Sequence, residues 1–233
     1  MSFALALFYH PQPGAEALHD TALNGAGLRS ALAQIEGVQD ALIFTPSVAQ
    51  DRYVDDGPPP ALGIQLHFAT LEALEGAARQ GGALQAFNAQ GGDTVHITAQ
   101  AFWRRRWSVP EPWAPGETPA RSCSFVVHYP GPARDTNAWH AFYMAGHPPL
   151  FQQMAGIREI EILTPVEWVS GLSCEKTAYL QRNRVAFDTP DALQAALQSP
   201  VRDALREDYH RFPPYEGGAA HYPMWTERFT PAA

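Results

Sequence analysis

Hydrophobic and polar positions divide the chain into strand-like and helix-like segments. Two short β-rich runs each end at a proline: residues 4–10 before Pro11, and residues 125–129 before Pro130. Because proline cannot donate a hydrogen bond to a sheet, each proline marks the end of a strand. A longer segment with helical character follows each run, over residues 16–36 and 137–154. Both halves of the chain therefore begin with a strand and a helix.

The same order of elements continues in both halves. Second strands are predicted at residues 38–44 and 157–163, and third strands at residues 63–68 and 182–187. Thr70 and Thr189 open helices at residues 71–79 and 191–197, because a threonine side chain can cap free N–H groups. Fourth strands are predicted at residues 94–103 and 221–229. Each half thus follows the order β-α-β-β-α-β.

A constant shift of 119 residues aligns the two halves. It places Gly37-Val38 on Gly156-Ile157, Thr45-Pro46 on Thr164-Pro165, and Glu72-Ala73-Leu74 on Asp191-Ala192-Leu193. One offset that holds over separated segments indicates an internal repeat. We therefore predict a first repeat over residues 1–107, a proline-rich linker over residues 108–120 and a second repeat over residues 121–233.

The β-α-β-β-α-β order is typical of a ferredoxin-like unit, in which two helices cover one face of a four-stranded sheet. The other face of such a sheet must also be buried. Two units in one chain can cover each other, so we predict an α+β fold in which two ferredoxin-like repeats pack sheet to sheet as a fused dimer with a single barrel.

Composition and charge exclude several classes of protein. The chain is 45% hydrophobic and 17% charged, which favours a soluble globular protein over a disordered or membrane-spanning one. Its net charge of -8 makes nucleic acid an unlikely partner, and the run Trp103-Arg104-Arg105-Arg106-Trp107 is interpreted as a solvated edge strand. Cys123 and Cys174 form no C-x-x-C motif, so we predict a reducing, cytoplasmic location and no membrane association.

Strand alternation predicts which polar side chains enter the barrel. Gln65 and His67 in the first repeat and Arg182 and Arg184 in the second alternate with apolar positions that suit packing beneath helices. An arginine inside the barrel can bind a carboxylate or an enolate-like oxygen. The alternative is a structural ion pair, because Asp40, Glu159 and Glu161 also share one face.

Among the histidines, His147 is the first candidate for proton transfer. It precedes Pro148-Pro149, where a helix break would let the ring project over the barrel mouth, and imidazole is the usual proton carrier near neutral pH. The alternative is that the ring only caps backbone groups at the turn. His128 and Tyr129, at the end of a strand, resemble a pocket rim, although a tyrosine there can also simply cover the edge of the core.

No motif indicates a cofactor. The nine histidines form no H-x-H, H-x-x-x-H or H-E-x-x-H pattern, and the chain has no G-x-G-x-x-G, Walker or G-x-S-x-G motif. We therefore expect neither a metal ion nor a haem or nucleotide cofactor.

One segment of the second repeat resembles a known family. Trp139-His140, Phe142-Tyr143, His147-Pro148-Pro149-Leu150 and Ala155-Gly156 are similar to the EthD-like pattern of aromatic residues, H-x-P-L and a turn into a strand. The likeness covers residues 122–229. In the first repeat His19 is kept but H-x-P-L is missing, so a site built on this motif is expected once per chain.

The resemblance implies the dimeric α+β barrel superfamily, here with both units in one chain. Its members include cofactor-free isomerases, polyketide cyclases, small monooxygenases and haem proteins, and the fold does not select among them. The partner expected is a small organic molecule, bound by a monomer with an internal pseudo-dimer or by a homodimer.

From these observations we predict a cofactor-independent enzyme that transfers a proton, as an isomerase, cyclase or dehydratase does, at a site between the repeats. His147 and Arg184 are the predicted catalytic residues. The predicted substrate-binding residues are His128, Tyr129, Tyr143, His67, Arg182 and Trp225. The alternatives are a small monooxygenase-like oxidoreductase and a non-catalytic ligand-binding or assembly protein.

Overall fold

A computed structural model describes residues 2–12, 25–88, 95–114 and 116–231. The first half contains β1 (Ser2–Pro11), α1 (Gly25–Leu32), β2 (Val38–Pro46), β3 (Leu62–Phe68), α2 (Leu71–Ala78), α3 (Gln85–Asn88) and β4 (Val95–Trp107). The second half contains β5 (Arg121–Tyr129), α4 (Thr136–Phe151), β6 (Glu159–Pro165), β7 (Glu175–Lys176), β8 (Gln181–Phe187), α5 (Pro190–Leu197), α6 (Pro200–Tyr209) and β9 (Ala220–Phe229). His19 and the start of its predicted helix lie outside the described residues.

Eight of the strands form a closed antiparallel barrel. Their order around the ring is β1-β3-β2-β9-β5-β8-β6-β4, and β4 pairs with β1 to close it. Each half contributes four adjacent strands, β4-β1-β3-β2 and β9-β5-β8-β6. Two seams join the halves, β2 with β9 and β4 with β6, while the short β7 pairs in parallel with β4. The mixed α+β barrel expected from the sequence is therefore present.

The helices lie outside the barrel, and each half has its own core between helices and sheet. Alternate strand residues face these cores: Leu5, Leu7, Ile64, Leu66 and Phe68 in the first half, and Phe125, Val127, Val185 and Phe187 in the second. The predicted caps of α2 and α5 are present, since Thr70 Oγ1 accepts a hydrogen bond from Ala73 N and Thr189 Oγ1 accepts one from Ala192 N, each at 3.1 Å.

The remaining strand residues fill the barrel lumen. An apolar cluster runs through the lumen, with Ala4, Ala6, Phe8, Leu42, Phe44, Phe102, Val126, Leu163 and Met224 in contact. Polar and charged side chains share the lumen with it. Gln65, His67, Arg182 and Arg184 all lie on the lumen side and are at most 3% exposed, as the alternation of their strands predicts.

An ion-pair network lies inside the lumen. The Arg184 guanidinium donates to Glu161 at 3.0 Å and also to Glu159, and Arg104 Nε donates to the other oxygen of Glu161 at 2.8 Å. Burial would raise the pKa of Glu161, but Arg104 and Arg184 outweigh burial and hold this pKa well below its usual value. Arg184 is therefore held by carboxylates of the protein, which corresponds to the structural ion pair considered above as the alternative to ligand binding.

Two local expectations are wrong, one of them only in part. The edge-strand expectation fails for Trp103 and Arg104, which pair with both β1 and β6, and Arg104 is buried at 8% exposure. It holds for residues 105–107, which pair with β6 but not with β1 and include the exposed Arg106. The helix break at His147 is also missing, because α4 continues through Pro148 and Pro149 to Phe151. The helical hydrogen bonding continues past the prolines, since Gln152 N bonds Pro148 O at 3.1 Å.

Cys123 and Cys174 are free thiols. Within the described residues, no helix is both long enough and apolar enough to cross a membrane.

We predict that Glu161→Gln lowers the free energy of unfolding by about 3–5 kcal/mol at neutral pH, because it leaves two buried guanidinium groups without their shared carboxylate. The folded-state pKa of Glu161 is depressed below its usual 4.5, so its stabilisation is present above pH 4.5 and is lost as the pH falls through the folded-state value. The difference between wild type and variant should therefore shrink in acid. Urea unfolding at several pH values measures it.

The control is Glu227→Gln, which removes the partner of Arg29 in a pair whose side chains are both 43% exposed. An exposed pair is worth about 0.2–1 kcal/mol, so this variant should unfold almost as the wild type does. Equal losses in the two variants would contradict a special role for the buried network.

Candidate functional site

A cavity lies outside the barrel, between the helices and the sheet of the second half. Its main chamber has a volume of about 270 Å³. A smaller chamber of about 30 Å³ continues it towards Phe151, Met154 and Leu197. The two share the lining residues Tyr129, His147, Arg202, Leu205 and His221. The smaller chamber is lined mainly by apolar side chains, whereas the main chamber also presents polar and charged ones. Polar groups that converge on a concave surface are typical of a small-molecule site.

Helix α4 carries His147 into this cavity. Asp135 caps the helix by accepting a hydrogen bond from Ala138 N at 2.9 Å. The buried side chains recur every four residues along one face: Trp139, Tyr143, His147 and Phe151. This spacing keeps them on the stripe that faces the sheet, so the His147 ring is buried among aromatic rings, with Tyr143 at 4.9 Å and Phe151 at 4.8 Å between centroids.

His147 is paired with Asp208, which α6 contributes. Nδ1 of His147 lies 2.8 Å from Asp208 Oδ2, and Arg211 donates to Oδ1 of the same carboxylate at 3.0 Å. An ionised carboxylate only accepts hydrogen bonds, so Nδ1 carries the proton and Nε2 of the neutral ring is left as the basic nitrogen. Gly146 permits this approach, because a Cβ there would lie 2.9 Å from Asp208 Oδ1.

The electrostatics of this pair suit a base. Burial lowers the pKa of His147 and outweighs the hydrogen bond to Asp208, which raises it. Burial would raise the pKa of Asp208, but the hydrogen bonds from His147 and Arg211 hold it below its ordinary value. At neutral pH the ring is therefore neutral and the carboxylate is ionised.

A second histidine–aspartate pair lines the same cavity. Nδ1 of His221, on β9, lies 2.8 Å from Asp56 Oδ2, and the backbone N–H of His221 donates to the same oxygen at 2.9 Å. Burial would raise the pKa of Asp56, but the hydrogen bonds from His221 keep it below its usual value. Asp56 belongs to the loop after β2, so the first half supplies part of the site in the second.

Arg202 fixes this loop against α6. Its Nε donates to Asp51 Oδ2 at 2.6 Å, and both side chains are at most 8% exposed. The cavity wall is therefore held by a buried ion pair between the two halves of the chain.

Two of the predicted binding residues lie close to His147. Tyr129 lines the cavity. Tyr143 stacks on Trp139, and its hydroxyl accepts a hydrogen bond from Asn183. Burial raises the pKa of both Tyr129 and Tyr143 above the usual tyrosine value, so both hydroxyls stay protonated.

The other predicted site residues do not join them. Arg184, Arg182, His67 and His128 face the lumen, on the opposite side of the sheet, because α4 packs against the outer face. The expectation that His147 projects over the barrel mouth and meets Arg184 is therefore wrong. Trp225 lies elsewhere on β9, where the Arg121 guanidinium stacks over its ring at 4.0 Å.

Sequence analysis missed four residues of the site: Asp56, Arg202, Asp208 and His221. One signal was available, since Ser199-Pro200 is a helix start of the same kind as Thr189-Pro190 and would have predicted α6. Among the described residues, no group of three or more histidine, cysteine or carboxylate side chains is placed to hold a metal ion.

No family profile matches this chain, and no curated protein matches it by sequence. Solved structures resemble it in fold. An anthrone oxidase-like protein is similar with a TM-score of 0.63 and 15% identity, over 100% of this chain and 94% of that one. A proposed monooxygenase from Lactobacillus acidophilus has a TM-score of 0.51 and 7% identity, over 98% and 95% of the two chains.

A third similar structure is a proposed monooxygenase from Fusobacterium nucleatum, with a TM-score of 0.53, 8% identity and coverage of 99% and 96%. At these identities the likeness shows the fold alone. The chain therefore has the α+β barrel fold of these proteins over nearly its whole length.

We predict that Asp208→Asn lowers the pKa of His147 further below 6.5, because the carboxylate raises this pKa through its hydrogen bond and charge. A pH titration of the histidine ring signals by NMR measures the shift. The ring of His140, on the same helix but bonded to Leu180 O, serves as an internal control and should titrate unchanged. A rise in the pKa of His147 would contradict the pairing described here.

Proposed function

We propose that this chain is a cofactor-independent enzyme that removes a proton from an enolisable small organic molecule bound in the cavity beneath α4 and α6. The observation that carries the proposal is the neutral, buried His147 held by an ionised Asp208 at the wall of a cavity lined by both apolar and polar groups. The proposal keeps His147 as the catalytic residue and moves the site from the lumen to the outer face of the barrel.

The proposed step is the transfer of one proton. Nε2 of His147 accepts it from a carbon next to a carbonyl group, and the electrons of the broken C–H bond move onto the carbonyl oxygen as an enolate. Asp208 stabilises the imidazolium that forms, as the carboxylate does in other histidine–aspartate pairs. The protonated Tyr129 hydroxyl, on the same wall, is the proposed donor to the enolate oxygen. Return of the proton to a different atom completes an isomerisation. In a cyclisation the enolate carbon instead attacks a second carbonyl carbon of the same molecule, the C=O π electrons move onto that oxygen, and the oxygen takes the proton from His147.

An oxidative outcome starts from the same step. Three structures that share the fold are named as an anthrone oxidase-like protein and proposed monooxygenases. An enolate can transfer electrons to molecular oxygen without a cofactor. For an anthrone, the CH₂ group would become a carbonyl group with one oxygen atom of O₂, and the other atom would leave as water. This makes the small monooxygenase-like activity the second candidate.

The ancestry of the chain is part of the proposal. Both halves place their four strands in the order fourth, first, third, second, which is the order expected for a ferredoxin-like unit. We therefore interpret the halves as tandem repeats, with residues 108–120 as linker and an EthD-like second repeat that carries the base. A cytoplasmic location and a monomer or homodimer remain predictions.

The test is C–H exchange in D₂O, followed by NMR, over a panel of anthrones, aromatic β-ketoacids and lactones. We expect the protein to catalyse loss of the C–H signal for at least one class of compound. His147→Gln should slow this exchange by about 10²–10⁴-fold, since that is the usual contribution of a general base. An oxygen electrode run in parallel separates the outcomes, because only the oxidase consumes O₂.

The matched control is His140→Gln, a histidine on the same helix that does not line the cavity. It should leave the exchange rate unchanged. Saturable binding of a panel compound with no catalysed exchange would instead support the non-catalytic alternative. Full activity of His147→Gln would show that His147 is not the base.

A further inference from the structure

Arg182 is a buried cation whose charge the protein does not neutralise. Its side chain lies in the lumen at 1% exposure, and none of its three guanidinium nitrogens has a hydrogen-bond partner. Burial lowers the pKa of Arg182 to about 10, which still leaves the group charged at neutral pH. The Tyr179 hydroxyl raises the pKa of Arg182 through its charge and a weak hydrogen-bonding interaction that falls outside normal hydrogen-bond geometry, and it brings no carboxylate to neutralise the guanidinium.

The contrast with Arg184, two residues along the same strand, shows what is missing. Across the β6–β8 pairing, Arg184 lies opposite Glu161, whereas Arg182 lies opposite Leu163. On the other side of β8, Arg182 lies opposite His128. In the described part of the chain no carboxylate bonds to Arg182. A buried charge without a partner is costly, and structural arginines in a core are normally paired.

Aromatic rings surround the group instead. The guanidinium carbon of Arg182 lies 4.6 Å from the ring centres of Phe8 and Tyr179 and 5.6 Å from that of Phe102. Cation–π contacts cover the faces of a guanidinium and leave the in-plane N–H donors free. They therefore hold the group in place without using its hydrogen-bonding capacity.

Two further polar atoms at this end of the lumen also lack partners. They are His128 Nε2 and Thr98 Oγ1. The centre of the His128 ring lies 4.7 Å from that of Phe8, and Thr98 lies opposite Phe8 in the pairing of β1 with β4. Unsatisfied atoms on neighbouring strands around one cation indicate a polar ligand site rather than a single misplaced side chain.

Half-buried rings lie at this end of the lumen. Tyr179 and Tyr222 both lie beside His128, with ring centres 5.8 Å and 5.4 Å from it, and His10 lies at the end of β1. Arg182 contributes to lowering the pKa of His10, which burial brings to about 4, so the ring is uncharged at neutral pH. The side chains around Arg182 therefore offer an anion apolar contact and hydrogen bonds without a competing negative charge.

We propose that the aromatic end of the barrel lumen, around Arg182, His128 and Thr98, binds a small monocarboxylate. The planar fork of N–H donors matches the two oxygens of a carboxylate, and the rings of Phe8 and Tyr179 suit an organic group better than a bare ion. This site is separate from the His147 cavity, since the two lie on opposite faces of the β5–β8 sheet. It does not depend on the proposed catalytic activity.

The test is thermal unfolding and calorimetry of the whole chain with sodium formate, acetate and benzoate, against sodium chloride at equal ionic strength. For the wild type we expect saturable binding of at least one carboxylate and a rise in Tm with its concentration. Arg182→Met should weaken this binding at least tenfold. In carboxylate-free buffer it should unfold at the wild-type Tm or above, because it removes an unpaired buried charge.

Thr98→Val is the milder variant and should weaken carboxylate binding several-fold while it keeps the fold. Arg121→Met is the matched control, since its guanidinium also stacks on an aromatic ring but is exposed, and its response should equal that of the wild type. Three results would each overturn the proposal. Arg182→Met could bind the carboxylates as tightly as the wild type does, or the wild type could respond to chloride as saturably as to a carboxylate. Arg182→Met could also lose much of its Tm in carboxylate-free buffer.

Discussion

Closure of one eight-stranded sheet is the constraint on which the rest of this structure depends. Each half covers only one face of its four strands with helices, and the seams β2–β9 and β4–β6 bring the two bare faces around a common lumen. Side chains in that lumen lose contact with water, so their charges must be neutralised inside it. The Arg104–Glu161–Arg184 network does this at one end, whereas Arg182 at the other end has no protein partner.

The same closure separates the lumen from the outer face of the sheet. The cavity that holds His147 lies outside the barrel, and the pairs Arg202–Asp51 and His221–Asp56 tie its wall to a loop of the first half. The two halves therefore have different roles. The second supplies His147 and Asp208, the base and carboxylate of the proposed mechanism, and the first supplies strands to the barrel and a loop to the cavity, although it lacks the H-x-P-L motif itself.

Much of the fold could be predicted because it follows from local periodicity. The alternation along β3 and β8 placed Gln65, His67, Arg182 and Arg184 in the lumen, and the repeat implied a barrel. The direction of His147 was harder to predict, because Pro148-Pro149 suggests a helix break, whereas the four-residue spacing from Trp139 to Phe151 places the ring on the buried face of α4. The contact with Asp208, 61 residues away, depends on how α4 packs against α6, which no local pattern specifies.

Hydrogen exchange of the backbone amides tests barrel closure most directly. At the two seams Ile43 lies opposite Glu227 and Arg105 lies opposite Ile162, while Leu5 and Leu66 are paired within the first half. If the barrel is one cooperative unit, amides along both seams should be as strongly protected as those inside each half and should exchange only through global unfolding. Seam amides that exchange orders of magnitude faster than those within the halves would show that the halves separate, and would contradict the shared lumen.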